Sequence, residues 1–323
     1  MTETIETIMQ KVIIDTDPGI DDAMAIHMAF ADARLDIVGL TSVFGNVTTA
    51  IATRNALRLA EMAHYKTDVA HGAAIPMMRD PQPPADFVHG GEGFGNVPSA
   101  TPQNNPVEAA AAAYICTTCA AAPGEIIICA VGPLTNLAAA LKHDPNITKN
   151  AKSVVIMGGS AAYHGNVTAC AEANIWNDPD AADAVFAADW DVTMVGLDVT
   201  EKTQCTPADF DLLASKSPVI GGFLRDAADF YFDFHEDKTG LRTCFMHDPS
   251  ALLAITDPAL FDMQHMPLEV VTHGDEIGRT KLFNGAGRRD VHVAMDVNSE
   301  AARKIFVDLV SNADSMRDIR MLG

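Results

Sequence analysis

Short runs of apolar, mostly β-branched residues recur along the chain, and a longer stretch with helical spacing follows most of them. This alternation is typical of βα units around a mostly parallel sheet. It predicts strands at residues 12–14, 37–43, 126–130, 154–157 and 192–197. It predicts helices at residues 22–30, 50–62, 106–121, 134–141, 179–188 and 218–237, and two more that begin near Pro249 and at Ser299. Residues 268–272 and 291–294 are strand-like and are expected to form an added sheet or hairpin.

No low-complexity linker, charge run or internal repeat divides the sequence. We therefore expect one α/β domain over residues 1–323, with a mostly parallel, Rossmann-like central sheet flanked by helices. Residues 81–106 are rich in Pro, Gly and Asn and lack periodicity, which predicts a long functional loop. Residues 1–10 lack the basic and apolar regions of a secretory signal, and no uncharged apolar stretch suits a membrane span.

Composition limits the classes of partner. Of 323 residues 48% are hydrophobic, and Lys+Arg 22 against Asp+Glu 43 gives a net charge of −21. These values exclude a disordered chain and make binding to nucleic acid or an anionic membrane unfavourable. Six scattered cysteines in a chain of this length predict a reducing, cytoplasmic location. Cys116 and Cys119 have CxxC spacing, but their alanine-rich surroundings favour helix packing over a zinc or redox role.

Four aspartates follow the first predicted strand: Asp15, Asp17, Asp21 and Asp22. The Pro18-Gly19 pair predicts a turn before a helix, so the carboxylates should lie at the carboxyl end of a buried strand, where open α/β sheets bind ligands. Their mutual repulsion favours a hard divalent cation such as Ca²⁺ or Mg²⁺. Each aspartate alone is also explained as a turn or helix-capping residue. That explanation is weaker for the four together.

The spacing Asp15-Thr16-Asp17 also occurs in phosphatases that form an aspartyl-phosphate after their first strand. The Pro-Gly turn and the two acids that follow it suit a metal-coordinating turn better. No lysine or arginine lies between Ile13 and Arg34 to meet a phosphate. Phosphatase activity is therefore a distant alternative.

The segment from Asp15 to Ala23 closely resembles the N-terminal signature of the inosine-uridine-preferring nucleoside hydrolases. Further motifs of that family follow in its order, at residues 43–46, 89–96, 131–136, 157–159, 165–166, 171–174, 178–179 and 246–249. An ordered series of this kind is unlikely to be coincidence. The resemblance implies hydrolysis of the N-glycosidic bond of purine or pyrimidine ribonucleosides, such as inosine and uridine, in nucleoside salvage.

The resemblance also implies a calcium site. Its carboxylate ligands would be Asp17, Asp22 and Asp248, and the main-chain carbonyl of Val131 would be a further ligand. The family usually has Thr at the position of Val131, a change that a carbonyl ligand tolerates. Asp17 would also be the general base. Ca²⁺ can bind both a water and ribose hydroxyls, which is what this reaction requires.

Further positions match the parts of the family that bind substrate. Those implied to hold the ribose are Asp21, Asn46, Met157, Asn166, Glu172 and Asn174. Glu172 and Asn174 would share a face if the segment were extended. Taken alone, Asn46 and Asn166 are better explained as turn residues, because each follows a glycine, but within the ordered series of motifs the ribose-binding role is favoured.

Three histidines are candidates for the base side of the site. The resemblance implies that His247 protonates the departing base, and a histidine that only hydrogen-bonds the metal ligands is the alternative. His89 would approach the base or the 5′ side of the ribose. His235 would contact the base, although aromatic neighbours on a helix are more often core residues. His27, His64, His143 and His292 are expected at the surface of helices or strands.

Two functions from different classes thus remain. The first is a Ca²⁺-dependent ribonucleoside hydrolase, and the second is a noncatalytic Ca²⁺- or ribosyl-ligand-binding protein of the same fold. The presence of both Asp17 and His247 favours the enzyme. The resemblance implies a homodimer or homotetramer and leaves the preference for purine or pyrimidine bases open.

Overall fold

The computed structural model describes residues 9–322. The prediction that residues 1–10 contain no secretory signal therefore falls largely on residues outside the described part. The described strands, β1 to β12 in chain order, are Gln10–Thr16, Leu35–Ser42, Asp68–Ala70, Ile126–Ala130, Ser153–Met157, Val192–Val195, Gln204–Cys205, Cys244–Phe245, Phe261–Met266, Leu268–Val270, Thr280–Leu282 and Val291–Val297.

The described α-helices, α1 to α14 in chain order, are Ile20–Ala31, Thr49–Met62, Asp86–His89, Ala111–Ala121, Thr135–His143, Ile147–Asn150, Ala173–Asn177, Pro179–Ala187, Leu197–Thr200, Pro207–Lys216, Ile220–Thr239, His247–Thr256, Ser299–Val310 and Ala313–Leu322. A short 3-10 helix, Pro258–Leu260, precedes β9.

Eight strands form the central sheet in the order β3-β2-β1-β4-β5-β6-β12-β9. Every neighbouring pair is parallel except β12 and β9, which are antiparallel. The chain passes from β1 to β2 on one side and later reaches β4 on the other. The β1/β4 boundary is therefore a topological switch point, and a crevice that binds ligands is expected beyond the carboxyl ends of these strands.

Alternating strand residues pack against helices on both faces of the sheet. Val12 and Ile14 belong to one core cluster, and Ile13, between them, belongs to the other. Helices α1, α2 and α10 to α13 cover the first face, and α4, α5 and α8 cover the second. Because both faces are buried, the strands are apolar throughout, which is the pattern that predicted them. The expected fold class, a mostly parallel sheet flanked by helices, is confirmed.

The expectations for the C-terminal strands were only partly right. Leu268–Val270 pairs with Thr280–Leu282 as a small separate sheet. Val291–Val297 instead joins the central sheet, parallel to β6 and antiparallel to β9. The helix predicted from residue 106 begins at Ala111, and the loop predicted over residues 81–106 contains the short helix α3. That residues 1–323 form one domain stays a prediction.

Among residues 9–322, the structure contains no helix that is both long and apolar enough to cross a membrane.

Candidate active site

The carboxyl ends of β1, β2 and β4 lie side by side at the switch point. The main-chain N–H of Val131 donates to the carbonyl of Asp15 at 2.8 Å, and that of Val43 donates to the carbonyl of Thr16 at 3.0 Å. These bonds extend the strand pairing by one residue beyond β4 and β2. They bring the loops after the three strands together, and Asp17, Asn46 and the Val131 carbonyl lie on those loops.

Asp22 organises the turn between β1 and α1. Its Oδ2 accepts the N–H of Gly19 at 2.9 Å and the Nδ2 of Asn46 at 3.0 Å, and its Oδ1 accepts the Thr16 hydroxyl. The local role that the sequence allowed for such an aspartate, stabilising a helix N-terminus, is therefore present at Asp22. The arrangement also fixes the direction of its carboxylate.

Asp17 is enclosed by main chain. Its Oδ2 accepts the N–H of Asn46 at 2.6 Å, and a Cβ built on Gly45 or Gly132 would lie 2.0 or 2.6 Å from its carboxylate oxygens. Gly45 also has a φ of +154°, so this position requires glycine for space and for backbone conformation. Side chains at these glycines would displace Asp17.

Three carboxylates can meet one cation. Asp21, Asp22 and Asp248 have oxygens that lie within 4.8 Å of one another, and all three residues are buried. Asp21 was implied to be a ribose ligand, yet it groups with two predicted metal ligands. Asp17 is outside this group of three. Within the described part of the chain, Asp17 Oδ1, Asp21 Oδ1 and Asp248 Oδ2 are buried without a hydrogen-bond partner.

Burial makes this cluster costly to ionise without a cation. It raises the pKa of Asp21 to about 6, and burial together with the Asp21 charge raises that of Asp22 to about 6. Burial and neighbouring aspartates also raise the pKa of Asp17 and Asp248 well above the usual range. A divalent cation would offset both effects. The unpartnered oxygens and the all-oxygen donor set therefore fit a hard ion such as Ca²⁺.

A cavity of about 710 Å³ opens above the cluster. The predicted site residues that line it are Asp21, Asn46, His89, Val131, Met157, Asn166, Glu172, Asn174, His235, His247 and Asp248. The other two predicted residues, Asp22 within the cluster and Asp17 outside it, are buried without lining the cavity. Residues far apart in sequence thus converge on one cavity.

Main-chain contacts hold the side chains implied to bind ribose. Glu172 caps α7, and its carboxylate accepts the N–H groups of Asn174 and Gly159, each at 2.9 Å. Asn174 Nδ2 donates to the carbonyl of Val131 at 2.8 Å and to that of Met157 at 3.1 Å. Glu172 and Asn174 therefore come together at the N-terminus of α7, where Glu172 is the capping residue, and not on one face of an extended segment. Burial raises the pKa of Glu172 to about 7.

The opposite end of the cavity is aromatic. His235 packs against Tyr231, Phe234 and Phe245 with ring centroids 4.4, 5.1 and 4.7 Å away. Neither ring nitrogen of His235 has a hydrogen-bond partner among residues 9–322. The side chain is 4% exposed, and burial, with Lys238 nearby, lowers its pKa to about 4.

Two further histidines that line the cavity are held through Nδ1, and one of them, His89, lies near the carboxylates, with its Nδ1 3.8 Å from Asp21 Oδ1. His89 Nδ1 accepts the N–H of Ile20 at 3.2 Å, and His247 Nδ1 lies 2.8 Å from the Thr200 hydroxyl. Burial lowers the pKa of His89 to about 4 and, with His235 nearby, that of His247 to about 3. These rings are therefore neutral near pH 7.

Several lining residues were not among the predicted site residues. Tyr231 and Phe234 line the cavity with His235, whereas Phe232 packs against Phe210 in the core. The spacing 231, 234 and 235 marks one face of a helix and could have separated these roles. Thr200 was also missed, although it lies just beyond a predicted strand, at the edge that carries the other site residues.

Comparisons with known proteins agree with this geometry. A family model described as inosine-uridine preferring nucleoside hydrolase matches residues 12–304. A probable uridine nucleosidase 2 of Arabidopsis thaliana is 40% identical over 312 residues, which cover 93% of this chain and 97% of the relative. A non-specific ribonucleoside hydrolase of Salmonella paratyphi C is 36% identical, with 92% and 94% covered. A solved plant nucleoside hydrolase has a TM-score of 0.90 at 36% identity, with 94% and 99% covered.

Proposed function

We propose that this chain, which belongs to the inosine-uridine preferring nucleoside hydrolase family and hydrolyses the N-glycosidic bond of ribonucleosides, uses uridine as a substrate and Ca²⁺ as a cofactor. One observation carries the proposal. The family's motif residues meet in a single cavity that has buried carboxylates at one end and neutral histidines at the other. Such a cavity suits a sugar at the first end and a base at the second.

Members of the family depend on a metal ion in general. Asp17, Asp22, Asp248 and the Val131 carbonyl would hold Ca²⁺, and Asp21 would add to its negative surroundings. A bound Ca²⁺ supplies positive charge, orients ribose hydroxyls and lowers the pKa of a water. The unpartnered oxygens of Asp17 and Asp248 support this choice of donors.

Asp17 is the general base of the proposed reaction. Its Oδ2 is held by the N–H of Asn46, whereas its Oδ1 has no hydrogen-bond partner among residues 9–322 and has a second lone pair, beyond the one for the metal, to accept a proton from the attacking water. The Asp17 carboxylate packs closely against the main chain at Gly45 and Gly132, so it has little room to move. A fixed position keeps the carboxylate oriented for proton transfer. The water attacks the anomeric carbon as its bond to the base breaks.

The ribose is held by polar groups that are already oriented. Asn46, Asn166 and Asn174 offer amides, and Asp21 and Glu172 offer carboxylates, so hydroxyls can meet donors and acceptors. Met157 packs against the sugar from the end of β5. Because main-chain groups fix Glu172 and Asn174, little side-chain entropy is lost on binding.

His247 assists the leaving base. As a neutral ring it donates a hydrogen bond to the base and keeps its proton, because a neutral imidazole is far too weak an acid to lose it. The hydrogen bond stabilises the negative charge that develops on the base as the bond to ribose breaks, and the departed base then takes a proton from solvent. His89 and His235 bind the base beside it. Uridine is our choice of substrate because the relative at 40% identity carries that activity in its name, and uracil carbonyls accept the hydrogen bonds that neutral histidines donate.

The experiment is a release assay for free ribose with uridine, inosine, cytidine and adenosine, in Ca²⁺ and after chelation. We expect the highest kcat/KM on uridine, and no turnover after chelation until Ca²⁺ is returned. An Asp17→Asn variant is the inactive control, since its side chain cannot accept the proton. Release of ribose from none of the four substrates in Ca²⁺ would disprove the proposal.

We also propose a homodimer or homotetramer in the cytoplasm. The cysteines support a reducing compartment, because all six are free and five are buried. Sedimentation equilibrium tests the assembly, and a monomer would contradict it. Fractionation of cells that express the protein tests the location.

A further inference from the structure

Thr200 touches the predicted leaving-group residue from the side away from the cavity. It ends α9, directly after β6, and its hydroxyl lies 2.8 Å from His247 Nδ1. Thr200 is fully buried and does not line the cavity, whereas His247 does. The contact therefore joins the end of one central strand to the catalytic histidine.

The direction of this hydrogen bond follows from counting protons. A hydroxyl carries one proton and needs an acceptor when it is buried. Among residues 9–322, His247 Nδ1 is the one hydrogen-bond partner of the Thr200 hydroxyl. If Nδ1 carried a proton and donated it, the hydroxyl proton would be left buried without an acceptor. The hydroxyl therefore donates, and Nδ1 has no proton.

An imidazole ring that has no proton on Nδ1 must carry its proton on the remaining nitrogen, Nε2. His247 makes its hydrogen bond within the described residues through Nδ1, and its ring borders the cavity. Nε2–H is thus the donor available to a ligand. The opposite tautomer would present a lone pair to the base and could not help it to leave.

The same tautomer is fixed by other means at His89. Its Nδ1 accepts from the N–H of Ile20, a group that can only donate. His89 therefore also carries its proton on Nε2. A main-chain N–H thus fixes the tautomer of His89, whereas a side-chain hydroxyl, which mutation can remove, contacts Nδ1 of His247.

We propose that Thr200 is a positioning residue that fixes His247 as the Nε2–H tautomer, so that the departing base always meets a hydrogen-bond donor. The inference rests on the proposed leaving-group role of His247. It adds a residue that touches neither the substrate nor the metal ligands. Removing the Thr200 hydroxyl should therefore lower turnover most for substrates whose leaving group depends on the His247 hydrogen bond.

The test compares Thr200→Val, which keeps the shape and removes the hydroxyl, with Thr200→Ser, which keeps the hydroxyl. Each is assayed on uridine and on 4-nitrophenyl riboside, whose nitrophenolate leaves without a proton. For Thr200→Val we expect kcat on uridine to fall about 10- to 100-fold, with KM and aryl riboside turnover changing less than about threefold. Thr200→Ser should restore uridine turnover.

Thr203→Val is the matched control. Thr203 is also fully buried, and its hydroxyl donates to the carbonyl of Val199, away from the cavity. We expect it to leave the ratio of the two activities unchanged. Equal losses of Thr200→Val on both substrates, or no recovery in Thr200→Ser, would overturn the inference.

A measurement on the unaltered protein gives the same answer even if a variant fails to fold. In protein with ¹⁵N-labelled histidine, the His247 ring, assigned by its loss in His247→Asn, should show a protonated Nε2 and an unprotonated Nδ1. A protonated Nδ1 would overturn the inference. If the unaltered protein released no ribose from any nucleoside, the proposed function would fail instead, whichever tautomer was found.

Discussion

The two ends of the cavity bury titratable side chains in opposite ways. At one end burial raises the pKa of Asp21 and Asp22, and at the other it lowers the pKa of His235 and His247. Both changes favour the neutral form. A cation can restore the charge of the carboxylates, whereas the histidines are surrounded by aromatic rings and by one another. The carboxylate end therefore requires a cation, and the histidine end favours an uncharged, planar base.

In the proposed mode of binding, this difference between the two ends also positions the scissile bond. A sugar has hydroxyls for the carboxylates and amides, and a base has a flat face and carbonyls for the aromatic end. A ribonucleoside bound in this way places its N-glycosidic bond between the ends. Changes at the carboxylate end should therefore affect all substrates, and changes at the aromatic end should distinguish them.

The largest effect is expected for Asp248→Asn, which removes one charge from the carboxylate end. We expect kcat/KM to fall about 1000-fold or more for every nucleoside, because a carboxylate ligand is lost. Ca²⁺ should also raise Tm in the unaltered protein and not in the variant. Asp262→Asn, at an exposed residue of β9, is the control. A calcium-dependent Tm in Asp248→Asn would contradict the assignment.

A smaller loss is expected for Glu172→Gln at the ribose. The amide would present N–H groups where the carboxylate now accepts main-chain N–H groups, so the side chain would turn away. We expect kcat/KM to fall about 100-fold, and equally on uridine and inosine, because the ribose is common to both. Steady-state kinetics on both substrates checks this. A loss confined to one nucleoside would mean that Glu172 reads the base.

The aromatic end is tested by His235→Phe, which keeps the ring and removes two unpartnered nitrogens. We expect the ratio of kcat/KM for uridine and inosine to change by about tenfold, the value of one hydrogen bond. Thermal stability should be unchanged or higher, since buried polar atoms without partners are removed. An unchanged ratio would make His235 a packing residue only.

The smallest effect concerns His27, a buried histidine of α1 outside the cavity. Burial lowers its pKa to about 3, so the unfolded chain binds a proton that the folded chain does not between that value and 6.5. Stability should therefore fall as pH drops, by about 2 kcal/mol between pH 6.5 and 5. His27→Leu should lose less stability over this range in urea titrations at saturating Ca²⁺.

His143→Leu, at an exposed residue, is the control and should not change the pH dependence. A constant difference between His27→Leu and the unaltered protein at all pH values would contradict the prediction. The loss of stability at low pH would then come entirely from groups other than His27, including those of the cavity.

The environment of His27 was predicted wrongly from the sequence. This histidine was expected at a surface, yet it is fully buried between Phe30 and Phe223, which lie 6.3 and 5.9 Å away between ring centroids. Every residue of α1 is buried, so the helix has no polar face from which burial could be read. The environment of His27 is decided by the packing of other helices against α1, among them α11, which carries Phe223.

The sequence by itself determined the βα order, the apolar strands and the acidic turn, because each depends on residues that are close in the chain. Asp17 and Asp22 occupy one turn, and their meeting needs no distant contact. The resemblance to the family also named eleven of the residues that line the cavity. The entry of Val291–Val297 into the central sheet was not determined in this way, because strand pairing depends on partners far along the chain.

Tertiary structure decided which groups face one another. It brought Asp21 into the same cluster as Asp248, and it placed the Thr200 hydroxyl against His247. Hydrogen bonds and charge interactions act over a few ångströms, and residues 200 and 247 reach that distance only when β6 and α12 pack together. The sequence thus supplied the chemical groups, and the packing of strands and helices set their protonation and their partners.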